Sequence, residues 1–325
     1  MRRAVRLKPT PPGSAPAVGD EDDAVDAAPA APPLRVWWLA ARPATLTAVL
    51  APLLVGGVLA ARSGGFEALP WLAALGAALC IQVGTNFAND VFDFEKGADT
   101  ADRMGPLRVT QAGLVAPGQI KAAMVLAFAL AVACGAYLVA RHGWPLVAVG
   151  MASIAAGVLY TGGPWPLGYL GLGDVFVFAF FGVVATTGTV YVQLGHIPAE
   201  AWWWSVPIGA SCTAILVVNN LRDAATDVLA GKRTLAVRFG PAFARAEYVA
   251  LMAVALLTAP VWAVVERRWW LALPLVCAPL VVRWAHAVSA RNDPEELNFA
   301  LAGTAKVHLA LGGLLALALA IDGGL

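Results

Sequence analysis

PWLAALGAALCIQVGTNFANDVFD, residues 70–93, decides how the rest of the chain is read. Residues 70–88 are predominantly apolar and long enough to cross a bilayer as a helix. If the helix continues, Asn86, Asn89, Asp90 and Asp93 fall on one of its faces. The stretch therefore predicts a membrane-spanning helix that ends in a stripe of carboxylate and amide oxygens. The same unit recurs. Residues 202–220 are apolar and run into Asn219-Asn220-Leu-Arg222-Asp223-Ala-Ala-Thr-Asp227, where Asn219 or Asn220, Asp223 and Asp227 again share a face. Asn89 and Asp93 match Asn219 and Asp223 in spacing, which predicts a degenerate repeat with two halves facing one cavity. Basic residues follow each stripe: Lys96, Arg103 and Arg108 after the first, Lys232 and Arg233 after the second.

Working outward, apolar segments of this kind occur nine times, at roughly 37–61, 70–88, 118–140, 144–161, 170–192, 202–220, 244–264, 269–288 and 299–321. They lack the alternation of a membrane β-barrel, so helices are the only backbone that satisfies its own polar groups in lipid. The fold class expected is an all-α polytopic membrane protein, about nine transmembrane helices around a central cavity. Composition agrees: 59% of the 325 residues are hydrophobic and 13% are charged, against roughly 25% charged in a soluble domain. A net charge of +1 points to no nucleic-acid partner. The four cysteines stand singly in apolar segments and read as packing residues, and the dispersed histidines offer no zinc site. Residues 1–33 are rich in Pro and Ala, lack the apolar core of a signal peptide, and read as a disordered tail ahead of a membrane domain at 34–325.

With nine crossings, the loops after the even-numbered segments share one side. Those loops hold Lys96, Arg103, Arg108 and Lys121, then Arg222, Lys232, Arg233, Arg238 and Arg245, whereas the other side is poor in cations. The positive-inside rule then puts both oxygen stripes at the cytoplasmic face of the plasma membrane. Trp71, Trp144, Trp202 to Trp204, Trp269 and Trp270 mark the outer boundary as interface anchors.

Carboxylates at the ends of membrane helices are costly and are generally functional. Mg²⁺ takes carboxylate and amide oxygens together with phosphate oxygens. Two facing stripes can hold two Mg²⁺ ions with a diphosphate between them, with Asn86, Asn89, Asp90, Asp93, Asn219, Asn220, Asp223 and Asp227 as the metal-binding set. Asp90, Asp93, Asp223 and Asp227 are the carboxylates placed closest to the chemistry. Lys96, Arg103, Arg108, Lys232 and Arg233 are candidates for holding the diphosphate. An allylic diphosphate leaves a carbocation, which aromatic faces stabilise; Tyr160, Phe176, Phe178, Phe180, Phe181 and Tyr191 are candidate linings, with ordinary helix packing as the competing role. No P-loop and no GxSxG elbow is present. A transporter with cation-binding half-sites is the alternative from another class, opposed by the basic residues that gather with the carboxylates.

Several longer stretches resemble the UbiA superfamily of intramembrane prenyltransferases. They are Arg42-Pro-Ala-Thr45, Asn89-Asp90-Val-Phe-Asp93 into Gly97-Ala-Asp99-Thr100, and Arg103-Met-Gly-Pro-Leu-Arg108-Val-Thr-Gln111. Tyr160-Thr-Gly-Gly-Pro-Trp-Pro-Leu-Gly-Tyr169, Gly188-Thr-Val-Tyr191 and Asn219 through Val237 continue the likeness, which covers about 36–321. GPLRVTQ and TGGPWPLGY resemble the MenA-type branch, the 1,4-dihydroxy-2-naphthoate polyprenyltransferases. Asp174 departs from the Glu expected there. The resemblance implies Mg²⁺–diphosphate binding by Asn89, Asp93, Asp223 and Asp227, with Asn86, Asp90 and Asp99 in support. It implies transfer of a polyprenyl chain from polyprenyl diphosphate to 1,4-dihydroxy-2-naphthoate within the lipid bilayer, with loss of diphosphate and CO₂, in menaquinone biosynthesis. A related enzyme acting on a phenolic acid or a lipid glycerol phosphate is the nearest alternative. Arg42 and Tyr160 are the candidate acceptor contacts; Arg42 could equally snorkel to headgroups.

Overall fold

The computed structural model describes residues 32–98, 105 and 107–325. Arg103, Asp99 and all of the N-terminal tail but its last two residues lie outside the described residues. In chain order the helices are α1 (Leu34–Ala41), α2 (Pro43–Arg62), α3 (Ala68–Glu95), α4 (Pro117–His142), α5 (Pro145–Leu159), α6 (Gly173–Val177) and α7 (Ala185–Leu194). They continue with α8 (Ala199–Leu229), α9 (Leu235–Val265), α10 (Ala278–Ala290) and α11 (Pro294–Asp322). Proline opens α2, α4, α5 and α11, where its missing N–H costs nothing. Asp293 caps α11 by accepting from the Glu296 backbone N–H at 3.1 Å.

Among the described residues, eight helical stretches are long and apolar enough to cross a membrane, counting Gly173–Leu194 and Trp269–Ala290 as one stretch each. The expected span 144–161 is realised as the shorter α5, whose 15 residues climb only about 22 Å against a hydrocarbon core of about 30 Å. The expected span 37–61 is broken at Arg42, which takes φ 52° between α1 and α2. Pro43 is the physical reason: it disfavours the α conformation in the residue before it. The expected span 170–192 carries a π-helical segment at Phe178–Val184, joining α6 to α7. There Gly182 meets Gly209 of α8 so closely that a Cβ on Gly182 would lie 2.4 Å from the Gly209 Cα.

α8 is the central helix: 72% of its apolar window is buried, against 11% for α3. α11 packs on α2 and α8, and α9 packs along the other side of α8. One core joins α8 to α9, α10 and α11 around Val218, Tyr248, Met252 and Val307. A second, around Val55, Ile208, Leu271 and Leu319, joins α2, α8, α11 and the 3₁₀ turn before α10. A third holds Val36, Phe87, Val91 and Val109, binding α1 and the segment after α3 to the α3–α4 pair.

The two ends of the bundle differ. At one, ion pairs tie helix termini together: Arg62 to Glu200 and Asp322 at 3.7 Å each, Arg268 to Asp322, and Arg141 to Glu67. Tyr191, expected as a cavity lining, belongs here, its hydroxyl donating to the His142 carbonyl at 3.2 Å. At the other end the segments following α3, α5 and α8 converge, as expected for loops after even-numbered segments, because the short α5 still returns the chain to that end. Lys96 donates to the carbonyls of Thr161 and Gly163, and the Arg233 N–H donates to the Tyr169 carbonyl at 2.8 Å.

Candidate active site

Both oxygen stripes stay helical past the apolar segments that lead into them, and both helices end in the same way. Gly97 (φ 66°) and Gly231 (φ 70°) supply the left-handed residue that stops α3 and α8. The Ala98 N–H donates to the Asp93 carbonyl at 2.9 Å and the Gly97 N–H to that of Phe94 at 3.0 Å. In α8 the Lys232 N–H donates to the Asp227 carbonyl at 2.8 Å and the Gly231 N–H to that of Val228 at 3.1 Å. These matching caps set the register of the repeat: Asn86 corresponds to Asn220, Asn89 to Asp223, and Asp93 to Asp227. The alignment of Asp93 with Asp223 expected from spacing alone is thus corrected by one helical turn.

The corrected pair is the one that meets. The Lys232 ammonium lies 3.7 Å from Asp93 Oδ2 and 3.6 Å from Asp227 Oδ1, bridging the two stripes. Asp93 is nearly inaccessible, with 1% of its side chain exposed. It accepts from Arg108 Nη2 at 2.8 Å and from the Tyr169 hydroxyl at 2.9 Å. Lys96 and Lys232 each stand over the Tyr169 ring, 5.1 and 5.0 Å from its centroid. Burial lowers the pKa of the Lys96 ammonium below its ordinary value; Asp93 opposes the shift and Lys232 adds to it.

Other members of the stripes have different partners. Asn89 Oδ1 accepts from the Thr161 hydroxyl at 2.9 Å. Asn86 turns to the break between α1 and α2, its amide donating to the Ala41 carbonyl at 2.9 Å and to the Thr45 hydroxyl at 3.0 Å. Asp90 directs both oxygens at a backbone loop, accepting from the N–H groups of Val109 at 3.1 Å and Thr110 at 3.0 Å. In this arrangement Asp90 anchors the segment that delivers Arg108, and Arg108, expected to hold diphosphate, is buried against Asp93. In the second stripe Arg222 donates through Nε and Nη2 to Asp223 at 2.7 and 2.6 Å, through Nη2 to Asn219 at 2.9 Å, and through Nη1 to Asn298 of α11 at 2.7 Å. Asn220 is buried and Arg233 is exposed.

Of the acceptor candidates, Arg42 is half-buried in the break, next to the carbonyl that holds Asn86. The half-buried Tyr160 places its hydroxyl against Gly173 and is within electrostatic reach of Asp174, Asp227 and Asp93. Phe176 stacks on Phe180 at 5.9 Å, while Phe178 packs on Gly209 in the core. The sequence assigns no site role to Tyr169, Arg222 or Asn298. Tyr169 lies in the TGGPWPLGY stretch, and Arg222 stands inside the second stripe, so both had a signal; Asn298 had none.

The model of the UbiA prenyltransferase family matches residues 49–312. The 1,4-dihydroxy-2-naphthoate octaprenyltransferase of Haemophilus influenzae is 35% identical over 297 residues, covering 89% of this chain and 96% of that protein. The protein of the same name from Mycobacterium tuberculosis is 39% identical over 270 residues, covering 80% and 88%. Among solved structures, the apo form of a UbiA homolog from Aeropyrum pernix K1 superposes with a TM-score of 0.63 over 86% of this chain and 97% of that one. At 14% identity that likeness speaks for the fold alone. With the family model spanning most of its length and both relatives matched nearly end to end, this multi-pass membrane chain belongs to the UbiA prenyltransferase family.

Proposed function

We propose that this protein transfers a polyprenyl group from polyprenyl diphosphate to 1,4-dihydroxy-2-naphthoate, with loss of diphosphate and then of CO₂. The observation that carries the reading is the convergence of Asp93 and Asp227 on one ammonium, in a chain whose relatives bear that activity in their names. The transporter alternative finds no support among those relatives. The oxygen donors suit Mg²⁺. Among the described residues no three His, Cys, Asp or Glu side chains are grouped to hold an ion unaided. Mg²⁺ is ordinarily completed by amide, water and substrate oxygens, which Asn89, Asn219 and a diphosphate would supply beside Asp93, Asp223 and Asp227. When bound, Mg²⁺ offsets the negative charge that grows on the departing diphosphate.

The chain's own residues do the rest. Lys96 and Lys232 present fixed positive charge to the diphosphate, with Arg233 next to Lys232. As the allylic C–O bond breaks, its electron pair goes to the diphosphate. The ring carbon of the naphthalenediol that bears the carboxylate forms the new C–C bond. Loss of CO₂ returns an electron pair to the ring, so no strong protein base is needed. Arg42 pairs with the acceptor carboxylate and Tyr160 borders the reacting centre. The product is demethylmenaquinol, a step of menaquinone biosynthesis. Both stripes face the cytoplasm across the plasma membrane, given the cation-rich loops that surround them.

Purified protein given several aromatic acids and a polyprenyl diphosphate should prenylate the naphthoate and release CO₂ in equal amount, read by mass spectrometry. Activity should vanish with EDTA and return with Mg²⁺. Prenylation of 4-hydroxybenzoate without CO₂, with the naphthoate ignored, would reject the acceptor; full activity in chelator would reject the metal. Cysteines introduced at Gly97 and Ala230 should be labelled from the cytoplasmic side and one at Ser63 from the other, and the reverse pattern would reject the orientation.

A further inference from the structure

Tyr169 touches Asp93, Lys96 and Lys232, three of the charged groups where the two halves of the site meet. Its hydroxyl donates to Asp93 Oδ1 at 2.9 Å, leaving the other oxygen of Asp93 to Arg108 and Lys232. Its ring underlies the ammonium groups of Lys96 and Lys232 at 5.1 and 5.0 Å. Its carbonyl accepts from the Arg233 N–H at 2.8 Å, so the loop after α5 is tied to the loop after α8 at the same residue. Lys96 follows the first stripe and Lys232 the second, and two like charges this close to one ring repel each other. An aromatic face lowers that repulsion, because its quadrupole is negative where both cations rest. The phenol does a second job, since a donor on one carboxylate oxygen fixes the plane in which the other presents its lone pairs.

We propose that Tyr169 is a positioning residue that couples the two half-sites, its hydroxyl orienting Asp93 for the metal and its ring gathering Lys96 and Lys232 for the diphosphate. The inference deepens the prenyl-transfer reading and rests on it for the identity of the anion. The two functions belong to different parts of one side chain, so they separate experimentally. Tyr169→Phe removes the hydroxyl and keeps the ring; Tyr169→Leu removes both.

The test uses the full chain in detergent, with Mg²⁺-dependent binding of inorganic pyrophosphate followed by calorimetry, alongside KM for each substrate. In Tyr169→Phe the half-saturating Mg²⁺ concentration should rise about tenfold, as for loss of one hydrogen bond to a charged group, with pyrophosphate affinity at saturating Mg²⁺ unchanged. Tyr169→Leu should show the same rise and a further fall in pyrophosphate affinity of about 3- to 30-fold, the range of cation–π contacts. KM for the naphthoate should stay constant in both. Unchanged Mg²⁺ and pyrophosphate binding in both variants would overturn the proposal. So would a loss confined to melting temperature, with the constants of the folded fraction intact, or an absence of Mg²⁺-dependent pyrophosphate binding in the unaltered chain. Binding as expected in protein that fails to prenylate the naphthoate would leave Tyr169 in place and reject only the acceptor.

Discussion

The two oxygen stripes end in the same backbone cap yet are supported in opposite ways. The first reaches outward. Asn86, Asn89, Asp90 and Asp93 each bond to a different part of the chain: the break before α2, the loop after α5, the loop at Val109, and the group of Arg108, Tyr169 and Lys232. The second is supported largely from within, by Arg222, which lies between Asn219 and Asp223 and reaches out to Asn298 of α11. Their environments account for the difference. α8 is central and enclosed by packed helices, whereas α3 is peripheral and depends on the following loops to cover its polar face. Equivalent backbone positions thus yield one equivalent pair, Asp93 and Asp227, and otherwise unlike neighbours.

Three outcomes would break or sharpen this comparison. The largest concerns the equivalent pair. Asp93→Asn and Asp227→Asn should each lower kcat by about 100- to 1,000-fold, the scale for removing one electrostatic stabiliser of a transition state. The two losses should match within a few-fold. Asp223→Asn, which by cap register corresponds to Asn89, should cost clearly less; turnover assays in which Asp223 matched Asp93 and Asp227 did not would restore the register drawn from spacing. A smaller effect is expected at Asp90. Asp90→Asn sets an amide N–H₂ against one of two backbone donors, which costs about 1–3 kcal/mol. That loss should appear in detergent melting curves, with kcat of the folded protein falling far less than in Asp93→Asn. The position corresponding to Asp90 in the second stripe is Ala224, so no matching anchor exists there. The smallest effect tests the caps. A Cβ on Gly97 or on Gly231 would meet nothing within 4 Å, so Gly97→Ala and Gly231→Ala should each cost only the left-handed backbone penalty of about 1–2 kcal/mol. Unequal melting shifts would show that the two helix ends are not equivalent after all.

Much of this was open to reading from the chain alone, because length and polarity of a membrane helix are local properties. The apolar spans, both stripes and the convergence of the cation-rich loops needed no tertiary information. The break at Arg42 was readable too, from the proline that follows it, but hydropathy averages across a single residue. The register of the repeat was not readable: Asn and Asp recur every turn, so two alignments one turn apart fit the spacing, and only the caps choose between them. Which stripe residues face the shared centre depends on partners distant in sequence. Asp90 and Asp93 are alike in composition and position, and only the course of the segment through Arg108, Val109 and Thr110 gives one a loop to anchor and the other a cation. Asn298 illustrates the limit, an ordinary polar residue near the start of a helix until α11 packs beside α8.

The π-helical segment at Phe178–Val184 has a consequence for how such a chain can change over time. A π turn carries one residue more than an α turn for a similar rise. Removing that residue would let an ordinary α-helix run from Gly173 to Leu194, but everything on one side of it would rotate by about 100° relative to the other. Asp174 and Phe176 lie on one side, toward the loop that carries Tyr169; Thr189 and Gln193 lie on the other, packed on Gly56 and bonded to Glu67. The surplus residue therefore works as a phase adjuster within a single membrane crossing. It lets the end of the helix that carries Asp174 be re-aimed by insertion or deletion while the end that carries Thr189 and Gln193 keeps its grip, without the bundle being rebuilt.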